Sequence, residues 1–281
     1  MTLRDALLEA STSIARRDAE TLLAHTLHRD RAWLLAHADD SIDPAQLQSF
    51  RSLVARRAAQ EPLQYITGTQ EFFGLPLRVT PAVLIPRPET EHLVEAVLDW
   101  AHSQPQSNPL HIADVGTGSG AIALALAQNL PHADITATDL SSAALAVARA
   151  NAAQLGLASR IRFLEGDLLA ALPAKTPPFD AIVSNPPYVP HTDAPTLAPE
   201  VRDHEPSLAL YAGADGLSLY RRLIPQAFHA LRPGGLLALE IGFGQRTALT
   251  HLLTNPDQPW QNIRFLDDYA SIPRVALATR P

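Results

Sequence analysis

From residue 110 onward the chain alternates short apolar runs with helical stretches, and the first run breaks at Asp114-Val115-Gly116-Thr117-Gly118-Ser119-Gly120. Few folds tolerate that pattern. Apolar runs at 110–115, 134–138, 160–165, 179–184, 236–241, 263–267 and 275–279 read as buried strands. Stretches at 121–128, 142–155, 217–231 and 246–253 keep helical spacing between them. Strands alternating with helices predict an α/β fold, a doubly wound parallel sheet with helices on both faces. An irregular stretch runs from 185 to 216, and Pro233-Gly234-Gly235 reads as a turn. No internal repeat is visible.

The first 70 residues have another texture. Leu3, Ala6, Leu7 and Ala10 are spaced as one helical face, as are Ala19, Leu22, Leu23 and Leu27, and a further helical stretch spans 33–37. Asp43-Pro44 has the form of an N-cap followed by proline at the first helical position, and Leu47, Phe50, Leu53, Val54 and Ala58 continue from it as a stripe. A small all-α bundle over 1–70 is expected. Residues 71–86, with a Gly/Pro turn at Gly74-Leu75-Pro76, read as a hairpin linker, followed by a second domain over 87–281. That domain opens with a helix near 90–102 and a polar loop at 103–109.

Composition narrows the chemistry. The 281 residues include no cysteine, which excludes disulfides, thiolate nucleophiles and cysteine zinc sites. A net charge of −7 argues against broad, non-specific nucleic-acid binding. The first residues carry an acid early and show no apolar signal core, and the most apolar helical stretch, 121–130, is too short to span a bilayer. A cytoplasmic protein without membrane association is expected, with a monomer as the default. No G-x-S-x-G elbow or His-Glu-x-x-His zinc signature is present, so no metal is expected. Lys175 is the single lysine, which reads as coding bias.

The glycine loop lets the backbone turn tightly and lets a ligand approach main-chain atoms. Gly116, Gly118 and Ala121 also satisfy the dinucleotide pattern G-x-G-x-x-G/A, so the loop alone does not separate a nicotinamide cofactor from another nucleoside. Asp139, after the second strand of the series, suits ribose hydroxyls under either reading. Asp167, in Gly166-Asp167-Leu168-Leu169, suits an adenine amino group and equally an ordinary helix N-cap.

Asn185-Pro186-Pro187-Tyr188 discriminates further, because it follows the buried run expected to flank the ligand crevice. Asn-Pro commonly starts turns, which explains two of the four residues. The chemistry of a planar nitrogen explains more. An amide nitrogen is a poor nucleophile because its lone pair is delocalised into the carbonyl. The Asn185 side-chain oxygen and the Pro186 carbonyl are two acceptors able to hold both hydrogens of an NH₂ group, so that its lone pair can be aimed. Pro186 and Pro187 stiffen the loop. The Tyr188 ring can pack on the planar group. Orientation of this kind supplies up to roughly 7–11 kcal/mol of a barrier. No general base is required.

The sequence resembles the release factor glutamine methyltransferase family. The resemblance covers the whole chain and rests on Ile85-Pro86-Arg87-Pro88-Glu89-Thr90-Glu91, on residues 114–123, on residues 183–188 and on the ending from Asp268-Tyr269 to Arg274-Val275. Asn-Pro-Pro-Tyr alone is shared with adenine-amino DNA methyltransferases, whereas the Pro-Arg-Pro-Glu-Thr segment is more specific. The resemblance implies a Rossmann-like class I S-adenosylmethionine-dependent sheet. It implies cofactor contacts from Gly116, Thr117, Gly118, Ser119, Gly120, Asp139, Asp167, Leu168 and Asn185. Asn185, Pro186, Pro187 and Tyr188 would bind the acceptor, with Asn185, Pro186 and Tyr188 catalytic. The implied acceptor is the glutamine of the Gly-Gly-Gln motif in class I peptide chain release factors, with the N-terminal helices docking the release factor. Leu168 departs from the family, some of whose members carry an aromatic residue there to stack on adenine.

Four alternatives stand beside this reading. A ribosomal-protein glutamine methyltransferase shares Asn-Pro-Pro-Tyr but tends to differ at the Pro-Arg-Pro-Glu-Thr segment. A DNA adenine methyltransferase needs a recognition region and a basic face, which an acidic chain of this length does not show. A nicotinamide-dependent oxidoreductase leaves residues 185–188 without a role. A non-enzymatic binding protein leaves Asn185 and Tyr188 unexplained.

Overall fold

The computed structural model describes residues 1–105 and 109–281, so the middle of the polar loop read at 103–109 lies outside the described residues. The chain forms two compact units. One comprises residues 1–69 and 198–204, and the other comprises residues 70–197 and 205–281.

The first unit contains α1 (Leu3–Ala10), α2 (Arg16–Leu27), α3 (Arg31–Ala36), α4 (Pro44–Ala58) and α5 (Leu63–Thr67). Each start is chemically marked. Thr2 and Asp5 form a reciprocal capping box on α1, Asp30 caps α3, and Asp43 accepts from the amides of Ala45 and Gln46 with Pro44 at the first turn of α4. Leu3, Ala6 and Leu7 from α1, Leu22 and Leu23 from α2, Leu34 from α3 and Phe50 from α4 share one buried core. Arg51 reaches Glu9 at 2.7 Å and Arg57 reaches Asp18 at 2.7 Å, bracing α4 against α1 and α2.

In the second unit the hairpin begins two residues earlier than expected. β1 (Thr69–Phe72) pairs with β2 (Leu75–Arg78), so the residues before 71 are not all helical. Phe73 and Gly74 both take positive φ, 51° and 74°, as a two-residue type I′ turn requires. After α6 (Thr90–Ser103) come β3 (His111–Val115), α7 (Ala121–Asn129), β4 (Asp134–Asp139), α8 (Ser142–Gln154), β5 (Ile161–Glu165) and β6 (Phe179–Ser184). The stretch read as irregular holds a 3₁₀ segment at His191–Thr196, then α9 (Pro199–Arg202), which belongs to the first unit, and α10 (Ser207–Leu210). Then follow α11 (Ser218–Ala230), β7 (Leu231–Glu240), α12 (Arg246–Leu253), β8 (Gln261–Asp267) and β9 (Pro273–Thr279).

The sheet order is β5-β4-β3-β6-β7-β9-β8. The first five strands in that order are parallel. β9 runs antiparallel between β7 and β8, so the expected all-parallel sheet is corrected to a mostly parallel one. From β3 the chain winds outward through β4 and β5, then returns to place β6 on the other side of β3. The crevice at the carboxyl ends of β3 and β6 is therefore the point where strand order reverses, and ligands of open α/β sheets bind there. Pro233-Gly234-Gly235 lies inside β7, where the register with β6 shifts between Phe179 and Ala181, and does not precede the strand as a separate turn. Helix α7 is apolar and buried on nearly every side, which explains its weak periodicity and fixes the glycine loop rigidly at its start.

Candidate active site

The glycine loop is stitched to its neighbours by main-chain and side-chain bonds. The amides of Gly116 and Thr117 donate to the Thr138 carbonyl at 2.8 and 2.9 Å. Asp114, fully buried at the end of β3, accepts from the Thr117 hydroxyl at 2.6 Å and from the Ala123 amide at 3.2 Å. Burial pushes its carboxyl up to about 7, against those two bonds. Gly116 and Gly118 take φ of 75° and 56°, open to glycine without strain. Asn151, buried on α8, donates to the carbonyls of Ser119 at 2.9 Å and Arg78 at 3.0 Å, locking the loop to the hairpin.

A cavity of about 280 Å³ opens beside this loop. Gly116, Thr117, Gly118, Ser119, Asp139, Asp167, Leu168, Asn185 and Pro187 all line it. Gly120, Pro186 and Tyr188 do not. At Gly120 the φ is 85°, and a side chain would meet Leu124 at 3.1 Å and Ala148 at 3.2 Å, so this glycine lets α7 and α8 pack closely. The two oxygens of Asp139 accept from the Gly118 and Ser141 amides, each at 2.8 Å, and burial raises its pKa. Asp167 is paired with Arg222, which also lines the cavity, and does not cap the following 3₁₀ turn. Leu168 holds a positive φ of 52°, a conformation uncommon outside glycine.

On the facing side, the Ser184 hydroxyl donates to the Val115 carbonyl at 2.6 Å, tying the end of β6 to the end of β3. Asn185 follows immediately. Its side-chain amide donates to the Thr90 hydroxyl at 3.1 Å, and Thr90 donates in turn to Glu240 Oε2 at 2.6 Å. The Tyr188 hydroxyl donates to Glu240 Oε1 at 3.3 Å. Glu240, the last residue of β7, is almost wholly buried, and burial raises its carboxyl to about 7. Burial, and then the nearby Glu240, raise the pKa of Tyr188 as well. The Tyr188 ring packs against the apolar cluster around Leu239 and Ile241, so it is held from behind and does not face the cavity as a flat wall. Gln245 fixes its main chain, donating to the Tyr188 carbonyl at 3.0 Å while accepting from the Gly242 amide at 2.9 Å.

The Ile85–Glu91 segment, the most specific part of the sequence resemblance, converges on the same place. Arg87 pairs with the buried Glu205, whose other oxygen accepts from the Ile85 amide at 3.2 Å. This clasp holds Pro206, Leu208, Ala209 and Tyr211 along one side of the cavity. Glu91 accepts from the Phe73 amide at 2.8 Å and anchors the hairpin turn. Sequence reasoning named Arg87 and Thr90 only as part of the Ile85–Glu91 segment, without a role for either, and did not single out Glu205 or Glu240. For Glu240 a signal existed: it is the lone acid in the apolar run Leu236–Ile241.

The comparisons with known proteins agree with this layout. Residues 2–68 match the PrmC N-terminal domain, and residues 112–204 match a methyltransferase domain. A release factor glutamine methyltransferase of Moorella thermoacetica is 49% identical over all of this chain and 99% of its own. One from Bordetella pertussis is 45% identical over 98% of each chain. The chain belongs to the release factor glutamine methyltransferase family. Among solved structures, the N-terminal domain of human METTL16 in complex with SAH overlays 92% of this chain and 93% of its own, with a TM-score of 0.55 at 18% identity. A Thermus thermophilus 16S rRNA N2 G1207 methyltransferase overlays 76% of this chain and 50% of its own, with a TM-score of 0.55 at 20% identity. At those identities the likeness is one of fold, the Rossmann-like methyltransferase sheet.

As a member of this family the chain is an S-adenosylmethionine-dependent methyltransferase. The cavity's chemistry suits that donor. The Asp139 carboxylate has lone pairs beyond those its two amides occupy, which a ribose diol can meet. Leu140 and Leu168 add aliphatic surface to the cavity lining, and Asp167 adds a carboxylate. Asn185, at the end of β6, lines the same cavity as the glycine loop at the end of β3.

Proposed function

We propose that this enzyme methylates the side-chain amide nitrogen of the glutamine in the Gly-Gly-Gln motif of class I peptide chain release factors. The observation that carries the reading is the Asn185 amide at the cavity. Its nitrogen donates to Thr90, so its oxygen is the end left to accept from an incoming group. Among the described residues, no main-chain donor bonds the neighbouring Pro186 carbonyl. Two acceptors on consecutive residues match in number the two hydrogens of a primary amide, although only Asn185 of the two is among the residues lining the cavity.

S-adenosylmethionine supplies a methyl group on a sulfonium, a strong electrophile. The protein's task is orientation. Asn185 Oδ1 and the Pro186 carbonyl hold the two amide hydrogens, turning the nitrogen lone pair out of conjugation. With that donor bound, the nitrogen–carbon bond would form as the donor's carbon–sulfur bond broke, and the methylated nitrogen would release its extra proton to water. Asp139 and the glycine loop hold the nucleoside, and Asp167 and Leu168 border its base. The PrmC-type helices of residues 2–68 are assigned to docking the release factor. The net charge of −7 supports a protein acceptor over a polyanion, and the enzyme acts as a monomer in the cytoplasm. No helix among the described residues is long and apolar enough to cross a membrane.

The test is incubation of unmodified bacterial release factor with enzyme and S-adenosylmethionine, followed by mass spectrometry of its peptides. One added methyl on the glutamine of Gly-Gly-Gln is expected. Methyl groups found only on a ribosomal protein or on nucleic acid would overturn the assignment.

A further inference from the structure

We infer that Thr90 and Glu240 are positioning residues that dictate which end of the Asn185 amide meets the acceptor nitrogen. The inference rests on the reading of Asn185 as an acceptor. An amide is nearly symmetric in shape, and its two ends differ chiefly in hydrogen bonding, one donating and one accepting. Something must choose between them, because an amide turned the wrong way would present N–H to the N–H of its substrate.

The choice is made by a short relay. Thr90 has one hydroxyl hydrogen, and with Glu240 ionised it goes to Glu240 Oε2 at 2.6 Å. Toward Asn185, 3.1 Å away, the Thr90 oxygen is then only an acceptor, so the NH₂ end of Asn185 must face it. Glu240 is itself immobilised. Its second oxygen accepts from Tyr188, its main-chain carbonyl accepts from the buried Tyr220 hydroxyl at 2.7 Å, and its side chain is buried. Thr90 is likewise buried, as the first residue of α6. Remove the carboxylate and the Thr90 hydroxyl loses its acceptor. Asn185, already bonded to Thr90, can offer its oxygen instead, and doing so turns the amide around.

This arrangement predicts a reversal that loss of structure would not give. Glu240→Leu removes the acceptor but leaves a hydroxyl that favours the reversed amide. Turnover should fall roughly five- to tenfold, the preference conferred by one neutral hydrogen bond. Thr90→Val removes the bias altogether and should cost about two- to threefold. In the double variant no hydroxyl remains to hold the amide backwards, so turnover should rise from the E240L level to the T90V level. Thr90→Ser keeps the relay and should retain near-normal turnover, whereas Glu240→Gln, with one accepting end for the two hydroxyls of Thr90 and Tyr188, should fall between the unsubstituted enzyme and E240L. Binding of S-adenosylhomocysteine, measured by calorimetry, should stay within about twofold throughout.

The experiment is single-turnover methyl transfer to release factor at saturating S-adenosylmethionine for all five variants and the unsubstituted enzyme. Recovery in E240L/T90V supports the relay. A double variant no better than E240L overturns it, as does E240L with normal turnover. Should E240L not fold, T90S and T90V carry the test: equal losses in both overturn the relay, and loss in T90V alone supports it. An unsubstituted enzyme that leaves release factor unmethylated overturns the functional reading itself. Normal methylation without recovery overturns only the relay.

Discussion

Gly216 gives the sharpest single perturbation. Its φ is 73°, and a Cβ placed there would lie 2.2 Å from the Tyr188 carbonyl oxygen, 2.8 Å from Gln245 Nε2 and 3.1 Å from Pro190 Cδ. Real Cβ contacts do not fall below 3.0 Å, so Gly216→Ala must drive the Tyr188 carbonyl away by at least 0.8 Å. Tyr188 cannot yield alone, because Gln245 bridges its carbonyl, the Gly216 carbonyl and the Gly242 amide. The left-handed conformation costs an alanine about 1–2 kcal/mol, and overpacking adds roughly 1–3 kcal/mol. A stability loss of about 2–4 kcal/mol is expected. A displacement near 1 Å in a positioning loop can lower turnover about 100-fold. Gly156→Ala is the control, with φ of 71° and nothing within 4 Å of the added Cβ. It should lose about 1 kcal/mol and keep its turnover. Urea unfolding and single-turnover methyl transfer read the two quantities, with calorimetric S-adenosylhomocysteine binding as a check that the cofactor cavity survives. Turnover within threefold of normal for Gly216→Ala would refute the argument that this contact fixes the motif.

Three further outcomes follow from the site. Asp114 and Glu240 rise to about 7 from ordinary values of 3.8 and 4.5, so between about pH 4 and 7 the folded chain binds more protons than the unfolded one. These two groups therefore lower stability as pH rises through that window, each by up to about 1.4 kcal/mol per pH unit. Urea midpoints should show the decline, Asp114→Asn combined with Glu240→Gln should flatten it, and an unchanged slope in that double variant would contradict it. Arg87→Met strands the buried Glu205 and should cost about 3 kcal/mol while loosening the cavity side that carries Leu208 and Tyr211. Unchanged cofactor affinity and unchanged unfolding in that variant would remove the clasp from the account. Asp139→Asn should weaken S-adenosylmethionine binding roughly tenfold or more, since hydrogen bonds to a charged carboxylate are among the stronger ones, with turnover at saturation reduced far less. Equilibrium dialysis that showed normal affinity would argue against the ribose assignment.

What could be read in the sequence was local. The glycine loop, Asp139 and the Asn-Pro-Pro-Tyr motif each announce themselves within a few residues, because a strand end and a turn lie together there beside the cavity. The supports are not local. Thr90 meets Asn185 across 95 positions and Glu240 across 150, and Arg87 meets Glu205 across 118. No periodicity encodes such pairings; only the sheet order brings them together. The same limit explains β9. Two apolar runs at the end of the chain specify strands, but direction depends on a tight connection at 268–272, where Asp268 accepts from the amides of Ala270 and Ile272. The bulge in β7 was hidden for a different reason. Pro-Gly-Gly is ordinary turn chemistry, and here the turn is absorbed into a strand. Tyr188 is a further case, since its packing on the apolar cluster and its hydroxyl bond to Glu240, 52 positions away, have no local signature.

The way Asn185-Pro186-Pro187-Tyr188 is held also bears on grafting. The two ends of the motif, with Ser184 before it, are tied to Val115, Thr90, Glu240 and Gln245, four partners from three separate parts of the chain. A chimaera that carried the tetrapeptide into another sheet would import the letters without the shape. To transplant the chemistry, a designer would have to move the scaffold of partners first and the motif last.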